Sequence, residues 1–220
     1  MKKWKEMTAG QKWQYFKDYY LFHALLVAFA TALVLFLFWH FLKPREDYAL
    51  YVSVIDESLD HLKKKQLQTE CEKALNASED KKIVMIDDSF YSSNNGIEKL
   101  QVYLRNEQVD IIIANEEEFR LLAGYGYMQN LEETLDIQSA ELYKKYFFYA
   151  PGYHDSEEVS FVDRESGRGP AEAYGIDISK SSLYNSLGGK LRKPVLGIAV
   201  GAENPGNGVV FLNELMEHIE

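Results

Sequence analysis

Between Asp18 and Lys43 the chain runs for twenty-four residues, "YYLFHALLVAFATALVLFLFWHFL", without a single charge. Wound as a helix at ~1.5 Å per residue, the stretch reaches ~36 Å and can cross a ~30 Å hydrocarbon core with some tilt. A core helix of a soluble protein rarely runs so long without one charged residue. The spacing therefore predicts a transmembrane helix over residues 19–42. Tyr19, Tyr20, Trp39 and His40 stand near its ends, where amphipathic rings settle at the headgroup level. His23 and His40 lie close enough to the two edges to act as anchors, since proton relay calls for a mid-bilayer group with a partner.

The flanking cations set the orientation. Lys2, Lys3, Lys5, Lys12 and Lys17 precede the span, and only Lys43 and Arg45 follow closely. The side richer in Lys and Arg stays in the cytoplasm, which leaves residues 46–220 outside the cell membrane. The small residues "AFATA" at 28–32 imitate a cleavage site, yet the apolar run continues past Ala32, so the reading is an uncleaved signal anchor. Residues 1–18 form a cytoplasmic amphipathic segment. Thr8 and Gln11 have the spacing of a capping box, and Trp13, Phe16 and Tyr20 recur at helical intervals beside Lys12 and Lys17. Such a helix lies along the inner leaflet or extends the span straight into the cytoplasm.

Charge divides the chain at the same place. Residues 1–45 carry +5 and the rest −15, together the −10 of the whole. A basic head on an acidic body excludes nucleic acid as a partner, because phosphate binding needs clustered Lys and Arg. The single cysteine, Cys71, rules out an intramolecular disulfide, so the outer domain is held by its core alone. Asn76-Ala77-Ser78 matches a glycosylation sequon, a pattern too short to build on.

Within residues 46–220, strand and helix patterns alternate. "DYALYVSVID" (47–56) reads as a strand covered on both faces, and "SLDHLKKKQLQTECEKALN" (58–76) as a helix capped by Ser58 with Leu59, Leu62, Leu67, Cys71 and Leu75 on its apolar stripe. On that stripe Cys71 is a buried hydrophobe, with no Cys-His signature to make it a nucleophile. "KKIVMID" (81–87), a polar loop "DSFYSSNNG", and "IEKLQVYLRNEQ" (97–108) give a second strand, loop and helix. "VDIIIAN" and "EEEFRLLAGYG" give the third pair, stopped by Gly124 or Gly126. Three strand–helix units at about thirty-residue intervals predict βαβ units on a parallel sheet. Beyond them, "SAELYKKYFFYA" suggests an aromatic-rich helix, and "EEVSFVDRESGRGPAEAYGIDI" two strands around a Gly-rich bend. "KPVLGIAV" is a further strand, "GAENPGNG" a turn and "VVFLNELMEHIE" a closing helix.

In an open parallel sheet, ligands sit outside the carboxyl ends of the strands, where helix N-termini point. The candidate ligand-binding residues are therefore Asp56, Ser89, Tyr91, Asn94 and Asn115. The hydroxyls, amides and rings of the middle loop suit an uncharged polar solute such as a sugar or peptide. Glu116, Glu117 and Glu118 have a structural reason of their own, since acids in a first helical turn complement the helix dipole. His154, Asp155, Glu157 and Glu158 carry donors for a metal at a spacing that matches no ligand pattern, so a solvated loop is preferred and no metal is assigned. "GYG" and "GNG" lack the residues that complete a phosphate loop, neither G-x-S-x-G nor H-E-x-x-H occurs, and no pair of carboxylates stands out. Neither a catalytic residue nor a cofactor is expected.

The outer part resembles an extracellular solute-binding domain of the type II periplasmic-binding-protein fold. The residues that carry the likeness are "VDIIIANEEEFRLLAGYGYMQNLEETL", similar to that family's strand, helix and "G-aromatic-x-x-x-Leu" run, then "AYGIDIS", and finally "PVLGIAVGAENPGNGVVFLNELME", similar to its late strand, turn and returning helix. The stretch between Leu131 and Tyr174 is shorter than that family's second lobe, and an anchor helix is a further departure. The resemblance implies a reduced, membrane-anchored form that captures a small polar solute or assists a membrane transporter, such as a permease. The alternative is a protein–protein interaction module with a vestigial cleft, docking through Tyr143, Tyr146, Phe147 and Tyr149. An extracytoplasmic hydrolase ranks third.

Overall fold

The computed structural model describes residues 8–42, 47–77, 79–153, 167–203 and 205–217, with the side chains of Gln11, His40, Phe41, Leu42 and Asn94 excepted. The candidate ligands at 154–158, Ser78 of the sequon, and the side-chain roles given to Gln11 and His40 fall outside the described residues. The chain divides into two compact units, residues 1–45 and 46–220.

The first unit is helical. Helix α1 spans Ala9–Tyr19 and α2 spans Leu21–Leu42. Backbone bonds from Tyr20 N to Phe16 O (2.8 Å) and from Ala24 N to Tyr20 O (2.8 Å) carry the helical pattern across their junction. Trp13, Phe16 and Tyr20 form a row of stacked rings along one side, as their spacing predicts. Helix α2 is long and apolar enough to cross a membrane over Leu21–Trp39. Its side chains are open all round, Phe22 at 72% and Phe29 at 71%. Its one hydroxyl in mid-helix, Thr31 Oγ1, donates to the Val27 carbonyl at 2.9 Å and is thus paired within the helix itself.

The second unit is a six-stranded mixed sheet between two layers of helices. In chain order come β1 (Tyr48–Ile55), α3 (His61–Ala74), β2 (Ile83–Phe90), α4 (Gly96–Arg105), β3 (Ile111–Asn115) and α5 (Glu116–Gly124). They are followed by α6 (Leu131–Thr134), α7 (Ile137–Tyr143), β4 (Phe147–Pro151), β5 (Ala171–Asp177), α8 (Ser182–Ser186), β6 (Pro194–Ile198) and α9 (Pro205–Met216). The strand order is β2-β1-β3-β6-β5-β4. Strands β1, β2 and β3 are parallel neighbours, as expected, but β6, β5 and β4 each run antiparallel to the strand before them in that order. The sheet is thus half parallel, not wholly so.

Alternation along the central strands sorts the core. Leu50, Val52 and Val54 of β1 face the side closed by Leu67 and Cys71 of α3 and by Phe211, Leu212 and Leu215 of α9. Tyr51 and Ile55 face the other side, under Leu100 and Leu104 of α4 and Phe119 and Leu122 of α5. A register shift in the β1–β2 pairing turns both Asp87 and Phe90 toward this second side and extends β2 into the predicted loop. Phe119 lies flat over β5 and β6: a Cβ on either Gly175 or Gly197 would sit 2.5–2.8 Å from its ring.

Other boundaries move for local reasons. Helix α3 is capped by Asp60 and not Ser58, because the Asp60 carboxylate accepts from the amides of Leu62 and Lys63; Leu62 is consequently 78% exposed. Helix α5 ends in a Schellman motif: Gly126 takes φ +78°, and Tyr127 N reaches the Leu122 carbonyl at 3.1 Å. The expected aromatic helix stops at Tyr143, and "FFYAP" becomes β4 paired with β5, while the strand expected before the Gly-rich bend falls outside the described residues. Helix α9 starts within the expected turn, with Pro205 at its first position, where a missing amide costs nothing.

Candidate functional site

Strands β1, β3 and β5 run the same way, so their carboxyl ends meet on one rim of the sheet, and antiparallel β6 begins there. Asn115 at the end of β3 is partnered with Pro194 at the start of β6. The segment before Pro194, "GGKLRK", thereby faces the loops that leave β1 and β3.

Asp56, the first residue past β1, adopts φ +52°, a left-handed conformation that Asp tolerates better than most residues. Its amide donates to the Phe90 carbonyl at 2.9 Å, which ties the ends of β1 and β2 together. Ser92 donates to both carboxylate oxygens, through its amide at 2.8 Å and its hydroxyl at 2.6 Å. The neighbouring Glu57 is buried, 6% exposed, and accepts from the amides of Lys190 (2.5 Å) and Leu191 (2.8 Å) and from the Tyr184 hydroxyl (3.3 Å). One buried carboxylate thus fixes the segment that delivers Lys190, Arg192 and Lys193. It also pushes the Tyr184 phenol well above its ordinary value, after burial itself.

Asn115 caps α5: its Oδ1 accepts from the amides of Glu117 and Glu118, each at 3.0 Å. Its Nδ2 donates to Glu118 at 2.9 Å. Glu118 in turn lies within hydrogen-bonding reach of Asp56. Burial pushes Glu118 up to about 7, helped by the bond to Asp56 and by the charges of Asp56 and Glu117. Burial also pulls Asp56 upward, but the bonds from Ser92 and Glu118 outweigh it, and Asp56 finishes below the usual carboxylate range. Glu116 is held low, first by Lys193 (2.7 Å) and then by Arg120 (3.2 Å).

Between these elements opens a cleft of ≈ 550 Å³, lined by Asp56, Asn115, Glu116, Glu117, Lys190, Leu191, Arg192 and Lys193. One wall is acidic and the other basic. The Lys193–Glu116 ion pair borders a smaller hollow of ≈ 260 Å³ that Lys145, Tyr146 and Asp177 also line. Among the described residues Lys190 and Arg192 form no ion pair. Their side chains are left to face the cleft and solvent.

Of the five residues singled out in the sequence, Asp56 and Asn115 line this cleft. Tyr91 stands behind Asp56, its hydroxyl donating to the Glu57 carbonyl at 3.3 Å. Ser89 is exposed and accepts from Lys99 Nζ of α4 at 3.0 Å, so it braces β2 against α4 and is not part of the cleft lining. Asn94 closes a single 3₁₀ turn, Ser92–Asn94. The sequence reading missed Glu57, the Asp56–Glu118 contact and the basic wall. The signal for the wall was present, since two glycines followed by three cations in four residues precede a strand at 188–193. Using it required knowing that this strand enters the sheet beside β3 in the opposite direction.

Elsewhere the candidates are structural. Burial raises the Cys71 thiol to about 12, with Glu214, Glu70 and Glu72 adding to the effect, which disfavours the thiolate that nucleophilic chemistry requires. Among the described residues no group of three or more His, Cys, Asp or Glu side chains is placed to hold a metal ion. Compared with known proteins, the chain matches no family model, no curated protein and no solved structure.

Proposed function

We propose that residues 46–220 are a ligand-binding or transporter-accessory domain, held outside the cell membrane by α2 with the basic amino-terminal segment in the cytoplasm. The observation that carries this reading is the cleft at the strand carboxyl ends, where Lys190 and Arg192, in no ion pair among the described residues, stand with Asp56 and Glu117 in the lining. Open α/β sheets take their ligands on this rim, and a concave site with a few convergent polar groups is where a small molecule is recognised. The charged walls favour a polar solute that carries charge of its own, such as a peptide, over a neutral sugar. Helix α9, packed back against β1 and β6, agrees with the returning helix that the solute-binding resemblance implies. The described residues between Leu131 and Pro151 add a strand to the same sheet, so the reading is of a shallow site that serves a partner and does not close like a clamshell.

The interaction-module alternative needs Tyr143, Tyr146, Phe147 and Tyr149 exposed as one patch. Tyr143 is buried, with its hydroxyl on Asn213 at 2.9 Å, and Tyr146 and Phe147 pack against the core. Tyr149 alone is largely open, at 46%. This division of the rings favours the binding reading.

The test is calorimetry and thermal shift on the full chain in lipid nanodiscs, screened against sugars, amino acids and short peptides. A charged solute is expected to bind, and a K190A/R192A double variant to lose that response. Silence across the panel overturns the reading. The topology is tested separately by protease added to intact and to opened cells, and protection of residues 46–220 in intact cells would reverse the orientation.

A further inference from the structure

We infer that the site takes a short linear peptide with free ends, laid along the rim with its carboxylate at Lys190 and Arg192 and its ammonium at Asp177. The inference rests on the binding reading above and narrows its class of solute.

The topology sets the two hollows in line. Along the rim come the end of β1, the end of β3, the start of β6, the end of β5 and the start of β4, in that order. The linings follow the same order: Asp56 after β1, Asn115 ending β3, Lys193 before β6, Asp177 ending β5 and Phe147 opening β4. Glu116 and Lys193 belong to both linings, so their ion pair of 2.7 Å is the ridge between the hollows. Arg120 holds the other oxygen of Glu116 at 3.2 Å and lies over the Phe148 ring at 4.9 Å, which carries the same wall into the smaller hollow. Lys193 itself takes φ +51°, a left-handed conformation seldom seen outside Gly, Asn and Asp, and such outliers gather at functional sites.

Charge gives this groove a direction. Buried Glu57, beside Asp56, fixes the amides of Lys190 and Leu191, so the cationic segment is held at the β1 end. Lys190 and Arg192 are left without an acidic partner among the described residues. At the β5 end, Asp177 spends one carboxylate oxygen on the Ser179 amide at 2.8 Å and also forms no ion pair among the described residues. Beside Asp177 the lining turns apolar, with the rings of Tyr146, Phe147 and Phe148 and the side chain of Val195. A carboxylate at one end, an ammonium at the other and an apolar side chain near the ammonium answer all three features. A neutral sugar brings neither charge, and a free amino acid carries both about a single carbon. The end of β5 is three strands from the end of β1, ~14 Å at the usual strand spacing. An extended chain gains ~3.3–3.6 Å per residue, so about four residues cover that distance.

The experiment is titration calorimetry on the full chain in lipid nanodiscs with phenylalanyl-trialanine, its amino-acetylated and carboxyl-amidated forms, phenylalanyl-alanine and free phenylalanine. The unblocked tetrapeptide is expected to bind tightest. Blocking either end is expected to weaken binding about tenfold, roughly what one bond to a charged group contributes. In K190A/R192A amidation should cost nothing further, and in D177N acetylation should cost nothing further. Binding of free phenylalanine or of the dipeptide as tight as that of the tetrapeptide overturns the inference and leaves the binding reading standing. So does equal binding of the blocked and unblocked tetrapeptides, a comparison made on the unaltered protein and independent of whether either variant folds. Silence toward every peptide, with another solute bound, overturns this inference alone. Silence toward every solute overturns the binding reading and this inference with it.

Discussion

The parallel and antiparallel halves of the sheet are assembled from different kinds of contact. In the parallel half, β1, β2 and β3 are each followed within a few residues by the helix that covers them, and two of the three helices are capped by a side chain at their start, α3 by Asp60 and α5 by Asn115. In the antiparallel half, β4 finds its partner β5 across residues 152–170, and β6 arrives last to fill the gap between β5 and β3. The first half is a sum of local choices. The second is fixed by which sheet edge remains open when the chain returns. The cleft lies where the two meet, with its acidic wall drawn from the local half and its basic wall from the returning one.

If the halves form one cooperative unit, breaking their shared packing should cost the most. Phe119 belongs to the parallel half but rests on Gly175 and Gly197 of the other, edge-on to Phe148 at 5.8 Å. Its ring is fully buried. Phe119→Ala is expected to destabilise residues 46–220 by about 3–5 kcal/mol, the usual range for removing a core phenyl ring. Chemical denaturation followed by two probes, one in each half, checks this. Coincident transitions mean that the halves fold together, whereas early loss of β4–β6 alone would make them separate cooperative units.

A smaller effect is expected at the polar tie. Glu57 leaves the end of β1 and holds the amides that lead into β6. Glu57→Ala removes the acceptor of the Lys190, Leu191 and Ser58 amides and of the Tyr184 hydroxyl, at a cost of about 2–3 kcal/mol before water enters. Hydrogen exchange should locate the damage at Lys190 and Leu191, with the β1–β2 amides still protected. Equal loss across β1 and β2 would mean that the tie supports the parallel half as well, and the contrast between the halves would weaken.

The same contrast explains what could be read from the chain beforehand. The long apolar helix was legible because twenty-four residues without charge admit few physical readings, and α2 covers Leu21–Leu42 of them. The three strand–helix units were legible because a short apolar run gives way to helical spacing within each, and β1 and β3 are buried on both faces as such runs predict. Strand β4 was not. "YKKYFFYA" has no polar residue after Lys145 to mark alternation, and its strand form is decided by pairing with Ala171–Asp177, a non-local event. The direction of β6 was hidden for the same reason, and with it the basic wall. At the site, Asn115 was legible as the end of the third strand and its role as the cap of α5 emerged only in the fold, while Asp56, whose charge bears on Glu118, lay sixty-two positions away in sequence. Ser89 was misplaced because a register shift, invisible in the pattern, turned the end of β2 toward α4.

The smallest effect belongs to the most local interaction. Asn115 caps α5 through two amides and steadies Glu118 through its own amide group. Asn115→Ala removes the cap at a cost of about 1 kcal/mol, and Asn115→Asp should recover most of it, since an aspartate accepts from the same amides. Both variants lose the donor to Glu118, so they differ only in the oxygen that the α5 amides need. Thermal denaturation separates the two roles: recovery in Asn115→Asp but not in Asn115→Ala makes the accepting oxygen the source of the stabilisation, and equal loss in both would assign it to the bond with Glu118.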